Sequence, residues 1–185
     1  MQRRHVLQSL AGLIALPLLP AALRAAAVPA RGSQSVPPAA QLRPSPKIVP
    51  LKKTDAQWRA LLPAAAFTVL FQDGTERAFT SSLNDEHRPG TFVCAACLLP
   101  VFEAAHKFDS GTGWPSFTQP VVGDIGIRSD RKMIVQRTEC HCARCGGHLG
   151  HVFQDGPSPR GERWCINGVA LNFVPNGTPL PALRT

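Results

Sequence analysis

Apolar residues crowd the head of the chain, thin out after it, and then recur in short groups separated by glycine, proline and cysteine. The head, MQRRHVLQSLAGLIALPLLPAALRAAAV, opens with Arg3 and Arg4, runs apolar from Val6 to Leu23 and ends in Ala25, Ala26 and Ala27. That order predicts an export signal over residues 1–27 with a small-x-small cleavage site. Pro17 and Pro20 interrupt the run and argue against a retained membrane span, and no cysteine precedes Cys94 to carry a lipid anchor. The paired arginines favour the twin-arginine route, in which a protein folds before it crosses the membrane, so a periplasmic location is expected. Residues 28–50 are rich in proline, alanine and serine without an apolar period, and are expected to form an extended linker.

The pattern changes at KKTDAQWRALLP. Thr54 followed three residues later by Gln57 forms a capping box, and Trp58, Leu61 and Leu62 fall on one helical face, which predicts a short helix. A second short helix is expected around Ala64 to Phe71, ending at the turn QDGTE. Past Gly90 the groups GTFVC, LPVFE, KMIVQRTEC, HLGHVF, RWCING and VALNFVP have the length and spacing of antiparallel strands. The expectation is a mainly β (α+β) domain over residues 51–175, followed by an irregular tail over 176–185.

A formal charge of +8 and a pI near 9.8 could suggest a nucleic-acid partner. Setting aside the six basic residues of the head and linker (Arg3, Arg4, Arg24, Arg31, Arg43 and Lys47) leaves fourteen basic against twelve acidic side chains. A nearly neutral domain argues against nucleic acid.

The six cysteines carry more information. Cys94 and Cys97 stand in VCAAC, and Cys142 and Cys145 in HCARC. Two Cys-x-x-Cys knuckles can supply four thiolates to a tetrahedral structural zinc. The competing reading in an exported protein is a disulfide framework; the matched spacing, and folding before export, favour zinc. Haem attachment is excluded because Leu98 and Gly146 occupy the positions that Cys-x-x-Cys-His gives to histidine.

Cys140 and Cys165 remain. Cys165 lies in GERWCINGVALNF beside Arg163, whose guanidinium would lower the thiol's pKa, and two residues before Asn167, whose amide can donate to an anion or a polar substrate group. His148 and His151 in HLGHVFQD can transfer protons, with Asp155 placed to orient one of them. The residues alone leave a second reading open, in which Cys165 is a buried small apolar side chain and the histidines are satisfied polar groups.

Taken in order, WRALL, GTERAFT, FVCAAC, KFDSGTGWPSF, RTEC, CARCGGHLGHVF, DGP and RWCING resemble the methionine sulfoxide reductase B family over about Leu51 to Pro175. The resemblance implies a β-tent of two antiparallel sheets with N-terminal helices, and zinc on Cys94, Cys97, Cys142 and Cys145. It implies that Cys165 is the nucleophile, that Trp114 receives the substrate's ε-methyl group, and that His148, His151, Asp155, Arg163 and Asn167 surround the sulfoxide. The implied reaction reduces methionine R-sulfoxide, protein-bound or free, through a sulfenic acid on Cys165 that a thioredoxin-like or other thiol reductant regenerates.

Many members carry a resolving cysteine in the loop that here reads SGTGWPSF, with Thr112 in its place. Cys140 is the one thiol left to replace it, and direct attack by an external thiol is the other route. The expected partners are the oxidised methionine and a thiol reductant, with no stable membrane anchor and a monomeric enzyme. Two other readings are a catalytically inert zinc-stabilised binding module of the same fold and a general dithiol oxidoreductase. The latter is disfavoured because both Cys-x-x-Cys pairs are committed to metal.

Overall fold

The computed structural model describes residues 48–130 and 136–185. The export signal and the linker up to residue 47 lie outside the described residues. Helix α1 (Asp55–Leu61) starts as its sequence predicts: the Thr54 side chain accepts from the Gln57 amide, and the Gln57 side chain accepts from the Thr54 amide. Such a cap stabilises a helix by about 1 kcal/mol. Trp58 is buried and stacks on Phe71 of α2 (Ala64–Gln72), with ring centroids 4.8 Å apart. Leu62 is buried with it, whereas Leu61 points into solvent at 41% exposure, so the apolar face is narrower than predicted. Helix α2 ends where Asp73 adopts a left-handed conformation, φ 53°.

Among the described residues nine strands follow: β1 (Gly90–Cys94), β2 (Pro100–Glu103), β3 (Lys107–Phe108), β4 (Ser116–Phe117), β5 (Ile125–Asp130), β6 (Arg137–Cys142), β7 (His148–Phe153), β8 (Arg163–Ile166) and β9 (Leu171–Pro175). They form two antiparallel sheets, ordered β2-β1-β9 and β3-β4-β8-β7-β6-β5. The predicted mainly β class with two short helices is therefore the observed one. Strand β5 escapes sequence reading because Gly126 sits within it and Ile127 is 62% exposed, which spoils the apolar alternation.

The core lies between the sheets and the helices. Phe102 stacks on Phe117 at 4.3 Å, Phe92 meets Phe117 edge-on at 5.0 Å, and Trp164 meets Phe102 at 6.3 Å. The tail after β9 is irregular, as expected, and the Arg184 amide donates to the Cys97 carbonyl at 3.1 Å.

Candidate functional site

Strand register brings the candidate residues together. Arg128 pairs with Glu139, Glu139 with His151, His151 with Cys165, and Cys165 with Ser116, forming one rung across β5, β6, β7, β8 and β4. Directly paired side chains point to the same face of a sheet. The register slips by one residue between Cys140 and His141, leaving Leu149 as the extra residue of β7. That slip lets His148 join the same face, where its ring meets that of His151 at 5.2 Å.

Cys165 opens into a cavity of about 110 Å³ lined by Trp114, His151, Phe153, Arg137, Asn167 and Thr75, among others. The Trp114 indole nitrogen donates to the Glu76 carbonyl at 2.9 Å, fixing the ring as one wall. Gly150 must be glycine: a Cβ there would stand 2.0 Å from the Cys165 carbonyl oxygen, forcing β8 and its thiol out of place.

The two histidines occupy different positions. His151 lines the cavity and its Nε2 donates to Asp130 Oδ2 at 2.9 Å, an oxygen that also accepts from Arg137 at 2.8 Å. Burial lowers the His151 pKa, with Arg137 and His148 adding to the effect and Asp130 opposing it. His148 is buried behind it and its Nδ1 donates to Glu139 Oε1 at 2.9 Å. Arg128 grips both oxygens of Glu139 at 2.7 Å. Burial works to raise the Glu139 carboxyl, but the hydrogen bonds from Arg128 and His148 outweigh it and hold its pKa below the ordinary value.

These contacts correct the sequence reading in several places. Asp155 orients neither histidine; it binds Arg163 through two bonds of 2.8 Å, and the guanidinium lies over the Phe153 ring at 4.4 Å. The orienting carboxylates are Glu139 and Asp130. Glu139 stood within the RTEC motif and Asp130 in an unremarkable polar stretch, so only strand register reveals their roles. The Asn167 amide is held between backbone groups, accepting from the Glu76 amide at 2.8 Å and donating to the Leu149 carbonyl at 3.0 Å, while the residue lines the cavity. His141, between the two cysteines of β6, is half-buried over Gly126, with Nδ1 unpartnered among the described residues.

The Cys165 thiol also departs from expectation. Burial pushes its pKa up, and the opposing pulls of Arg163 and the Thr112 hydroxyl do not cancel that push in this state. Thr112 is itself held in a chain of hydroxyls, 2.8 Å from Ser110, which lies 2.7 Å from Ser116 on the rung of Cys165.

Cys140 pairs with Gly150 one rung away and is fully buried on the core face, opposite the face that carries Cys165. The backbone of β7 lies between the two thiols. The structure therefore does not bring the candidate resolving pair together.

At the far end of β6 the other four cysteines converge. Cys94 and Cys145 sulfurs stand 3.7 Å apart, those of Cys97 and Cys142 3.4 Å, and all four lie within 4.8 Å of one another. A tetrahedron with metal–sulfur bonds of about 2.3 Å has edges of ~3.8 Å, so this sulfur set can hold such an ion.

The profile of the SelR domain matches residues 62–175. The peptide methionine sulfoxide reductase MsrB of Thiobacillus denitrificans is 51% identical over 124 residues, covering 66% of this chain and 94% of that protein. The MsrB proteins of Saccharophagus degradans and Methanosarcina barkeri are 47% and 44% identical, with 68% and 66% of this chain and 95% and 87% of each relative covered. With the Cys165 rung, the thiol cluster and these matches in agreement, the chain belongs to the SelR domain family, that of the MsrB proteins.

Proposed function

We propose that this protein reduces the R epimer of methionine sulfoxide to methionine. The observation that carries the reading is the shared cavity of Cys165, Trp114 and His151, which sets a nucleophile, an apolar wall and a proton carrier around one small space. The MsrB relatives support it, and they weigh against an inert binding module.

In this reading the apolar indole face takes the sulfoxide's methyl group and leaves the polar S=O toward the donors. His151, its Nε2 proton committed to Asp130, offers Nδ1 to take the Cys165 proton as substrate enters. The thiolate attacks the sulfoxide sulfur, His151 returns the proton to the oxygen, and the oxygen passes to the cysteine. Methionine leaves reduced by two electrons and Cys165 leaves oxidised as its sulfenic acid; an external thiol attacks it, forming a mixed disulfide and releasing water, and a second thiol frees Cys165 as the external disulfide leaves. Arg163, held by Asp155, stabilises the anionic sulfur. The opposite-face position of Cys140 favours direct reduction from outside over an internal disulfide.

The ion best suited to four thiolates is zinc, held by Cys94, Cys97, Cys142 and Cys145. It would tie the β1 knuckle to the β6 knuckle and serve structure, not chemistry. We further assign an export signal to residues 1–27, a linker to 28–50, a periplasmic location for the mature monomer, and a thioredoxin-like reductant. The decisive experiment offers separated R- and S-sulfoxides to the purified mature protein with dithiothreitol, beside Cys165→Ser. Turnover of R alone, lost in the variant, is expected; no turnover by folded protein would sink the reading. Recovery of the signal-free protein from the periplasm of a secreting host checks the location.

A further inference from the structure

The segment from Thr75 to Phe79 runs past the rim of Trp114. Thr75 lines the Cys165 cavity, Glu76 accepts the indole proton, and Phe79 lines a second cavity of about 200 Å³ that also has Trp114 in its wall. Phe79 is 73% exposed, unusual for an aromatic residue, and its backbone lies in the left-handed region at φ 63°. It is held there by its own amide, which donates to the Gly113 carbonyl at 2.8 Å. Gly113, at φ 88°, leaves the space: a Cβ would stand 2.8 Å from the Phe79 ring. The fold thus maintains an exposed ring in a strained conformation beside the loop that carries Gly113 and Trp114.

Phe108 adds a second ring to this cavity, and the exposed carboxylates Asp85 and Asp109 stand at its edge. Lys107, its ammonium bonded to the Asn84 carbonyl at 2.7 Å, offsets one of these charges, and the exposed His87 also lines the wall. What remains is an aromatic surface with a net acidic rim, complementary to a long aliphatic stem that ends in a cation.

We propose that this second cavity is a subsite for a lysine or arginine flanking the oxidised methionine in a polypeptide substrate. The proposal rests on the assignment of the Cys165 cavity to the sulfoxide. At about 110 Å³ that cavity holds little more than the sulfoxide-bearing side chain, so the flanking chain must lie across its rim, where the Thr75–Phe79 segment leads to the second cavity. The contact needs no bond making or breaking; it acts on recognition alone.

The test compares kcat/KM for acetylated pentapeptides carrying central methionine R-sulfoxide flanked by lysine, leucine or glutamate, with N-acetylmethionine R-sulfoxide as the substrate too short to reach. Wild type should favour the lysine peptide over the glutamate peptide by about threefold or more, through KM, and salt should shrink the gap. Phe79→Asn, which tolerates the left-handed backbone, and Asp85→Asn should each reduce that preference while leaving N-acetylmethionine sulfoxide turnover unchanged. Equal rates on the three peptides, or a preference for leucine, would overturn the subsite and leave the catalytic assignment standing. So would a Phe79→Asn variant that slows the short substrate as much as the peptide, since Phe79 would then only brace Trp114. Absence of turnover on every sulfoxide would overturn both.

Discussion

Cys140 and Cys165 stand on neighbouring rungs of the large sheet and point to opposite faces of it. Sequence alone leaves Cys140 as a candidate resolving thiol, the electron donor to the sulfenic acid on Cys165; in the structure it is a core residue, and burial pushes its thiol pKa up. Cys140→Val, which keeps the site apolar and of similar size, should therefore retain full multiple-turnover activity with a dithiol protein as reductant. A variant limited to a single turnover would show that the sheet opens during catalysis.

The two histidines should separate in kinetics. His151→Asn should lower kcat/KM by about 10²- to 10⁴-fold, the range for losing a positioned proton carrier. His148→Asn should cost less, because its ring lies behind that of His151 and outside the cavity lining. Steady-state rates on the R-sulfoxide decide between the two.

Iodoacetamide labelling of Cys165 in the absence of substrate should rise with pH and reach half its maximum above the ordinary thiol value of about 8.5. The sign follows from the raised pKa: burial favours the thiol, so thiolate is scarce at neutral pH. Thr112→Val should move the midpoint higher still by removing a hydroxyl that opposes burial, and Thr112→Ser should restore it. The labelling rate against pH reads both shifts directly.

Glu139→Gln should destabilise the fold by about 1–3 kcal/mol at neutral pH, measured by urea unfolding, because Arg128 and His148 lose an ionic partner in a buried setting. The folded carboxyl titrates below its unfolded value, so its stabilisation is present above the unfolded pKa and is lost as pH falls through the folded one. The gap between wild type and variant should accordingly narrow below about pH 4.3.

Cys97→Ser should abolish stoichiometric zinc in the purified protein and lower Tm, and a strong chelator should lower the Tm of the wild type. Cys140→Val should keep its zinc. A variant lacking Cys97 that melts like the wild type would show that the four-sulfur cluster is not a structural metal site.

Much of this was legible because the chemistry is local. The capping box at Thr54, the paired knuckles and the RWCIN strand that carries Cys165 are each decided within a few residues. The orienting carboxylates were not legible, since Asp130 and Glu139 meet the histidines through strand register, and a one-residue slip at Leu149 places His148 on the working face. Nor could local reading weigh the burial of Cys165 against the adjacent Arg163, because desolvation belongs to the packed molecule. Sequence proximity pairs Asp155 with a histidine, whereas in the folded chain the Arg163 guanidinium binds it.

Strand β9 pairs with all five residues of β1 and follows every other strand in the chain. During synthesis the hairpins β5–β6 and β6–β7 can close as they emerge, while β1 keeps one open edge until Leu171–Pro175 arrives. A nascent chain therefore carries its Cys165 strand before its smaller sheet is sealed, and a truncation just past Cys165 would expose an unpaired β1 edge to proteases and chaperones.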